Sequence, residues 1–166
     1  RDGHATSLGA ASGVVAVLVA ITPACSSVDP LGAIAVGAIS SVLSSLAVGL
    51  KYKLGYDDSL DVVGVHLVGG LSGSLLVGLF ATAAAPAGVD GLLYGGGSGQ
   101  LVKQAIACGA VLAYSFIVTL IIAKLIDVTM GFRISQEAEI TGIDLAVHAE
   151  SAYEIGNVGS SRGGSF

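Results

Sequence analysis

Four long stretches of this chain carry no formal charge, and they constrain the fold more than any other feature. They run from Ala5 to Val28, Pro30 to Leu50, Val62 to Val89 and Gln104 to Ala123. Each approaches or exceeds the roughly 20 residues that an α-helix, rising about 1.5 Å per residue, needs to cross the hydrocarbon of a bilayer. Composition agrees: 53% of the residues are hydrophobic and 11% charged, where soluble domains carry about a quarter, and mean hydropathy is +0.85. The expected fold is an all-α polytopic membrane helix bundle. It has four transmembrane helices, at about 7–25, 30–50, 60–84 and 101–125, and a polar tail over 127–166. Membrane lipid is its first expected partner.

The few charges orient such a bundle. Arg1, Lys51, Lys53, Lys124, Arg133 and Arg162 fall on one side of four spans and only Lys103 on the other. The excess of Lys and Arg marks the cytoplasmic side, so both ends of the chain are expected there and the localisation is a multi-pass cell-membrane one. The net charge of -5 comes largely from Asp57, Asp58 and Asp61 in one connector and from Glu137, Glu139, Asp144, Glu150 and Glu154 in the tail. No basic patch exists to attract nucleic acid. Cys25 and Cys108 have neither CxxC nor ligand-like spacing and read as packing residues. No metal or cofactor is expected. Arg1-Asp2-Gly3-His4 offers neither an initiator Met nor a secretory leader, so the chain is expected to be a fragment.

Inside the spans, small residues recur at helical spacing. In the second, Ala33, Gly37, Ser41, Ser45 and Gly49 stand every fourth residue; in the third, Gly69 and Gly73 are flanked by Gly70, Ser74 and Gly78; the first has Gly9 and Gly13. Lipid supplies no hydrophobic drive for helices to associate, so close approach over small residues does that job. These faces predict a dense bundle. Thr22-Pro23 ends the first span, because proline lacks an amide donor and disfavours helix before it. Pro30 opens the second, where the missing donor would be unpaired anyway.

The chemistry narrows to one side chain. His66 is alone in an apolar run that follows Asp57, Asp58, Ser59 and Asp61, which can cap the amino end of the third helix. With helix onset near Leu60, His66 lies roughly 10 Å into the membrane, and Val62, one turn earlier, shares its face. An ionisable group at that depth is expensive and faces protein or a conduction pathway. An imidazole can accept or donate one proton near neutral pH, which suits passage of a small, weakly polar solute. The alternative is a structural histidine bonded to Ser12, Ser41 or a carbonyl of another helix. Nucleophile triads, metal cages and carboxylate dyads are absent from the apolar part, so an enzyme is not expected. His4 and His148 lie in polar ends.

Several motifs together resemble the ammonium transporter family: Thr22-Pro23-Ala24-Cys25, Asp57-Asp58 leading through Asp61-Val62-Val63-Gly64-Val65-His66 to Gly69-Gly70, Gly131-Phe132-Arg133, Gly142-Ile143-Asp144, and His148-Ala149-Glu150-Ser151-Ala152-Tyr153. The resemblance implies the last four helices and cytoplasmic tail of an approximately eleven-helix protein built on two inverted repeats, assembling as a homotrimer with a pore in each subunit. It implies further that His66 is the second of two paired pore histidines, Val62 a pore-lining residue and Asp58 an acid near the cytoplasmic pore exit. Ammonium or ammonia is the implied substrate. A P-II type signalling protein is an implied partner, docking on the tail and the connector from Lys51 to Asp58. Ala146 stands where plant members carry a phosphorylated threonine. The first pore histidine, the aromatic gate and the outer cation site belong to helices this chain lacks, so it is not expected to conduct alone. A second reading is a membrane-anchored nitrogen-sensing component that signals through its tail.

Overall fold

In the computed structural model the described residues are 6–150, and among them every regular element is helical. His4 and the tail beyond Glu150, including Tyr153 and Glu154, lie outside the described residues. The helices are α1 (Ser7–Ile21), α2 (Pro30–Val48), α3 (Leu50–Leu54), α4 (Val68–Phe80), α5 (Gly99–Thr129), α6 (Gln136–Thr141) and α7 (Ile143–His148). A π-helical turn, Val63–Leu67, leads directly into α4, and a short 3-10 helix, Leu92–Tyr94, sits in the loop before α5. Two compact units result, one through Tyr114 and one from Ser115.

Three helical segments are long and apolar enough to cross a membrane: Pro30–Leu54, Val63–Phe80 and Gly99–Thr129. The four expected spans therefore need qualifying, since α1 has 15 residues and at about 1.5 Å each extends roughly 22 Å. The other limits shift too. The second helical segment continues to Leu54 past a break at Gly49, and the last one lengthens to 31 residues. The third stops at Phe80 rather than at 84. Ala81 turns extended there, with ψ 144, and the Thr82 amide donates to the Ser27 carbonyl across 2.9 Å instead of continuing the helix.

Caps explain where the helices begin. The Thr6 hydroxyl accepts from the Gly9 amide at 3.0 Å, and Asp29 Oδ1 accepts from the Gly32 amide at 2.7 Å just ahead of Pro30. Each satisfies a first-turn donor that the helix itself cannot. The second oxygen of Asp29 accepts from the Tyr94 hydroxyl at 3.0 Å, so the loop before α5 is tied to the start of α2.

The first unit has its core where α1, α2 and α4 meet, around Ala20, Ala24, Val28, Val36, Leu76, Val77 and Ala81. The buried stripe of α2 is Gly32, Val36, Ser40, Ser44 and Ala47, together with Gly37. Of the expected face Gly37 is buried, Ala33, Ser41 and Gly49 are half-buried and Ser45 is exposed, the buried line within these residues running one residue earlier. Gly69 and Gly73 are buried. Gly73 packs so closely on the backbone of Ala20 that a methyl group there would overlap its carbonyl. The Ser72 and Ser40 hydroxyls bond across α4 and α2 at 2.9 Å, a contact that contributes on the order of 0.6 kcal/mol inside membranes. The Ser44 hydroxyl is buried without a hydrogen-bond partner among the described residues.

In the second unit the remainder of α5 is followed by two short helices. Ser135 caps α6, its hydroxyl accepting from the Ala138 amide at 3.2 Å, and Gly142, at φ 100, separates α6 from α7.

Candidate functional site

The π turn carries His66, and the connector before it sets how the turn begins. Gly55, at φ 70, ends α3, and the chain passes through Tyr56, Asp57 and Asp58 before a turn at Ser59 and Leu60. Asp58 then caps the next helix with both carboxylate oxygens, Oδ1 accepting from the Val62 amide at 2.7 Å and Oδ2 from the Val63 amide at 2.9 Å. A carboxylate on two first-turn amides meets their unpaired donors and the positive end of the helix dipole together.

Asp61 occupies the left-handed region at φ 56, a conformation that costs most side chains but that aspartate tolerates. Its carboxylate is held by Lys51, whose Nζ lies 2.5 Å from Asp61 Oδ1 and also donates to the Asp58 carbonyl at 2.9 Å. Both side chains of the ion pair are largely shielded, 15% exposed for Lys51 and 26% for Asp61. One ammonium thus joins the end of α3 to the two acidic residues that start the next helix. Lys51, Tyr52, Tyr56, Asp57, Asp58 and Ser59 line a shallow depression beside it.

Past the cap, the two faces of the turn differ. Gly64 and Val65 are buried, and Gly64 is pressed onto Val48, where an added Cβ would lie 2.8 Å from the Val48 amide nitrogen. Val62, Val63, His66 and Leu67 are exposed. His66 has no hydrogen-bond partner among the described residues, Ser12 and Ser41 included. A π turn inserts one extra residue per hydrogen-bonded ring and is found mostly as a single turn, frequently at functional sites. Here it changes the register between Val62 and His66 from the α-helical spacing the sequence implied, while leaving both on the exposed side.

Sequence reasoning placed Asp58 as cap or exit residue and Asp61 beside it without separating their tasks. The structure gives the cap to Asp58 and an ion pair to Asp61. In the sequence Lys51 has a part in orientation and in the docking connector but no contact with Asp61. Its ten-residue separation from Asp61 becomes a contact only because Gly55 reverses the chain, and no local pattern announces that. Groups of three or more His, Cys, Asp or Glu side chains able to hold a metal are absent among the described residues.

An apolar bundle packed on small residues, with an exposed imidazole on the π turn that opens one of its membrane-capable segments, defines a multi-pass membrane protein. Comparison with known proteins makes that specific: the family model described as Ammonium Transporter Family matches residues 1–153, and the chain belongs to that family. It is 63% identical over 161 residues to an ammonium transporter of Mycobacterium tuberculosis, an alignment covering 93% of this chain and 34% of that protein. An ammonium transporter of Bacillus subtilis is 44% identical over 151 residues, covering 90% of this chain and 37% of its own length. Among solved structures, the crystal structure of Candida albicans Mep2 superposes with a TM-score of 0.71 at 32% identity, covering 81% of this chain and 31% of that one. The chain thus spans about a third of the length of these relatives.

Proposed function

We propose that this chain supplies one wall of an ammonium-conducting pathway, with His66 handling the proton and Val62 lining the path beside it. The observation that carries the reading is an imidazole without a hydrogen-bond partner among the described residues, exposed between apolar side chains on a π turn of a membrane-capable helix. In a chain of this family the open face is complemented by helices outside these 166 residues, which bring the second imidazole. An unsolvated cation in an apolar passage is expensive. Ammonium therefore gives up its proton at least in part on entry, and His66 accepts or passes it on. These residues alone do not conduct, since they hold one imidazole of the pair.

In the same reading the helices up to residue 126 form the membrane region and 127–166 a cytoplasmic tail. The end of α3 and the Asp57-Asp58 connector face the cytoplasm, where Asp58 stands near the exit. The complete protein works as a homotrimer, and the connector from Lys51 to Asp58 and the tail are each docking segments for a P-II type protein. The test is uptake of methylammonium by the complete gene product in cells deficient in ammonium uptake. His66→Ala is expected to change both the flux and its dependence on external pH. Unchanged flux and unchanged pH dependence would overturn the reading.

A further inference from the structure

We infer that Lys51 is a positioning residue for His66, acting through Asp61 and Asp58 across the connector; the inference rests on the proposed role of His66 in the conduction path. Lys51 touches neither His66 nor the exposed face. Its ammonium lies on Asp61 Oδ1 and on the Asp58 carbonyl, at 2.5 and 2.9 Å. Asp58 in turn carries the Val62 and Val63 amides on its carboxylate, and the Val65 amide donates to the Asp61 carbonyl at 2.8 Å. Two routes of two steps each, one through Asp58 and one through Asp61, therefore run from one side chain of α3 to the first residues of the π turn.

That linkage matters because the turn needs an external hold. A π-helical ring is less favoured than the α-helical one, and this one opens after a residue in the left-handed region. Gly64 on Val48 fixes the buried side of the turn, whereas Val62, Val63, His66 and Leu67 on the other side are exposed. What remains to set the rotation of the turn is its entry point, which Lys51 fixes by holding Asp61 in its unusual conformation and Asp58 on its amides. Removing the ammonium leaves the Asp61 carboxylate without its ion-pair partner and the Asp58 carbonyl without its donor, so that the turn is free to re-register toward an α-helix and to swing His66 about the helix axis. A reacting group misplaced by about an ångström lowers a rate severely without abolishing binding.

The experiment uses the complete gene product, with rates expressed per transporter at the membrane. Lys51→Met, which keeps the length of the side chain, is expected to lower the maximal rate of methylammonium uptake roughly tenfold, to leave KM within about twofold, and to alter the pH profile. Lys51→Arg restores most of the rate. Asp61→Gly removes the carboxylate while accepting the positive φ without strain, so it reports the ion pair and not the backbone; it is expected to match Lys51→Met. The double variant falls no further than either single one, because both act on one link. If Lys51→Met does not reach the membrane, Asp61→Gly decides alone. Rates for Lys51→Met and Asp61→Gly within about twofold of the parent, with unaltered pH profiles, would overturn the inference. His66→Ala separates the two levels: a response there with none at Lys51 or Asp61 removes this inference only, whereas no response at His66 removes the proposed function itself.

Discussion

The helical segment that begins at the π turn and the last long helix are both apolar enough to cross a membrane, yet among the described residues only the first has buried positions. Along Val63–Phe80, 39% of the most apolar stretch is buried, against none for α5. The difference is small residues at contact positions. Gly64, Gly69, Gly73 and Gly78 each bring the backbone against a neighbour, whereas an added Cβ at Gly99 or Gly109 of α5 would meet nothing within 4 Å. Hydrophobicity puts a helix in the membrane, and spacing of small residues decides whether it also enters a core.

The comparison breaks most visibly at Gly73. A side chain there overlaps the Ala20 carbonyl, which is backbone and cannot give way as a flexible side chain would. Gly73→Val is expected to destabilise the complete protein by about 1–3 kcal/mol or to prevent its insertion. Gly109→Ala in α5 is expected to gain up to about 1 kcal/mol from helix propensity. Thermal unfolding in detergent checks both. Similar losses at the two glycines would mean that α5 is packed as closely as α4.

The next effect is at the entry to the π turn. Asp58→Ala strips the Val62 and Val63 amides of their acceptor and is expected to cost about 1–2 kcal/mol, with Asp58→Asn recovering part of it. Hydrogen exchange at those two amides is the direct measurement. Protection unchanged by the alanine would show that something other than this cap holds the turn.

Much of this was legible in the sequence, for reasons that differ by residue. The uncharged runs announced helices and the glycines announced close packing, because both follow from local spacing. His66 stood out because an ionisable group in such a run has few bland explanations. The exact contact line of α2 was not legible: Ala33, Gly37, Ser41 and Ser45 form a regular series, but of these burial between two neighbours takes only Gly37 and otherwise selects Gly32, Val36, Ser40 and Ser44. That choice depends on where α1 and α4 approach. Neither the π turn nor the positive φ of Asp61 could be read, since both depend on the tertiary hold exerted by Lys51.

Within the buried stripe, the two serines make opposite predictions of smaller size. Ser40→Ala breaks the bond to Ser72 and is expected to cost on the order of 0.6 kcal/mol. Ser44→Ala removes a hydroxyl that is 1% exposed and unpartnered among the described residues, so it is expected to be neutral or stabilising by up to about 1 kcal/mol. Unfolding of the two variants side by side tests the assignment. A loss at Ser44 equal to that at Ser40 would show that its hydroxyl is engaged in the membrane.

The smallest expected effect lies at the opposite end of the first unit, where Tyr94 bonds Asp29. Its hydroxyl donates to a carboxylate, and that bond, with desolvation and the negative charge beside it, raises its pKa above the usual tyrosine value. The folded state therefore holds this proton more tightly than the unfolded chain. The contribution is fully present below the unfolded pKa of about 10 and is lost as pH rises through the higher folded value. Because Tyr94 is 42% exposed, the effect is modest. The expected result is a tether between loop and α2 that is insensitive to pH across the neutral range and weakens only in alkali. Tyr94→Phe should remove that alkaline dependence while leaving α2 capped, since Asp29 Oδ1 keeps the Gly32 amide. Following the ultraviolet absorbance of tyrosinate during an alkaline titration of parent and variant measures it: a transition for Tyr94 at or below the ordinary value would mean that the bond to Asp29 does not form in the membrane-embedded protein.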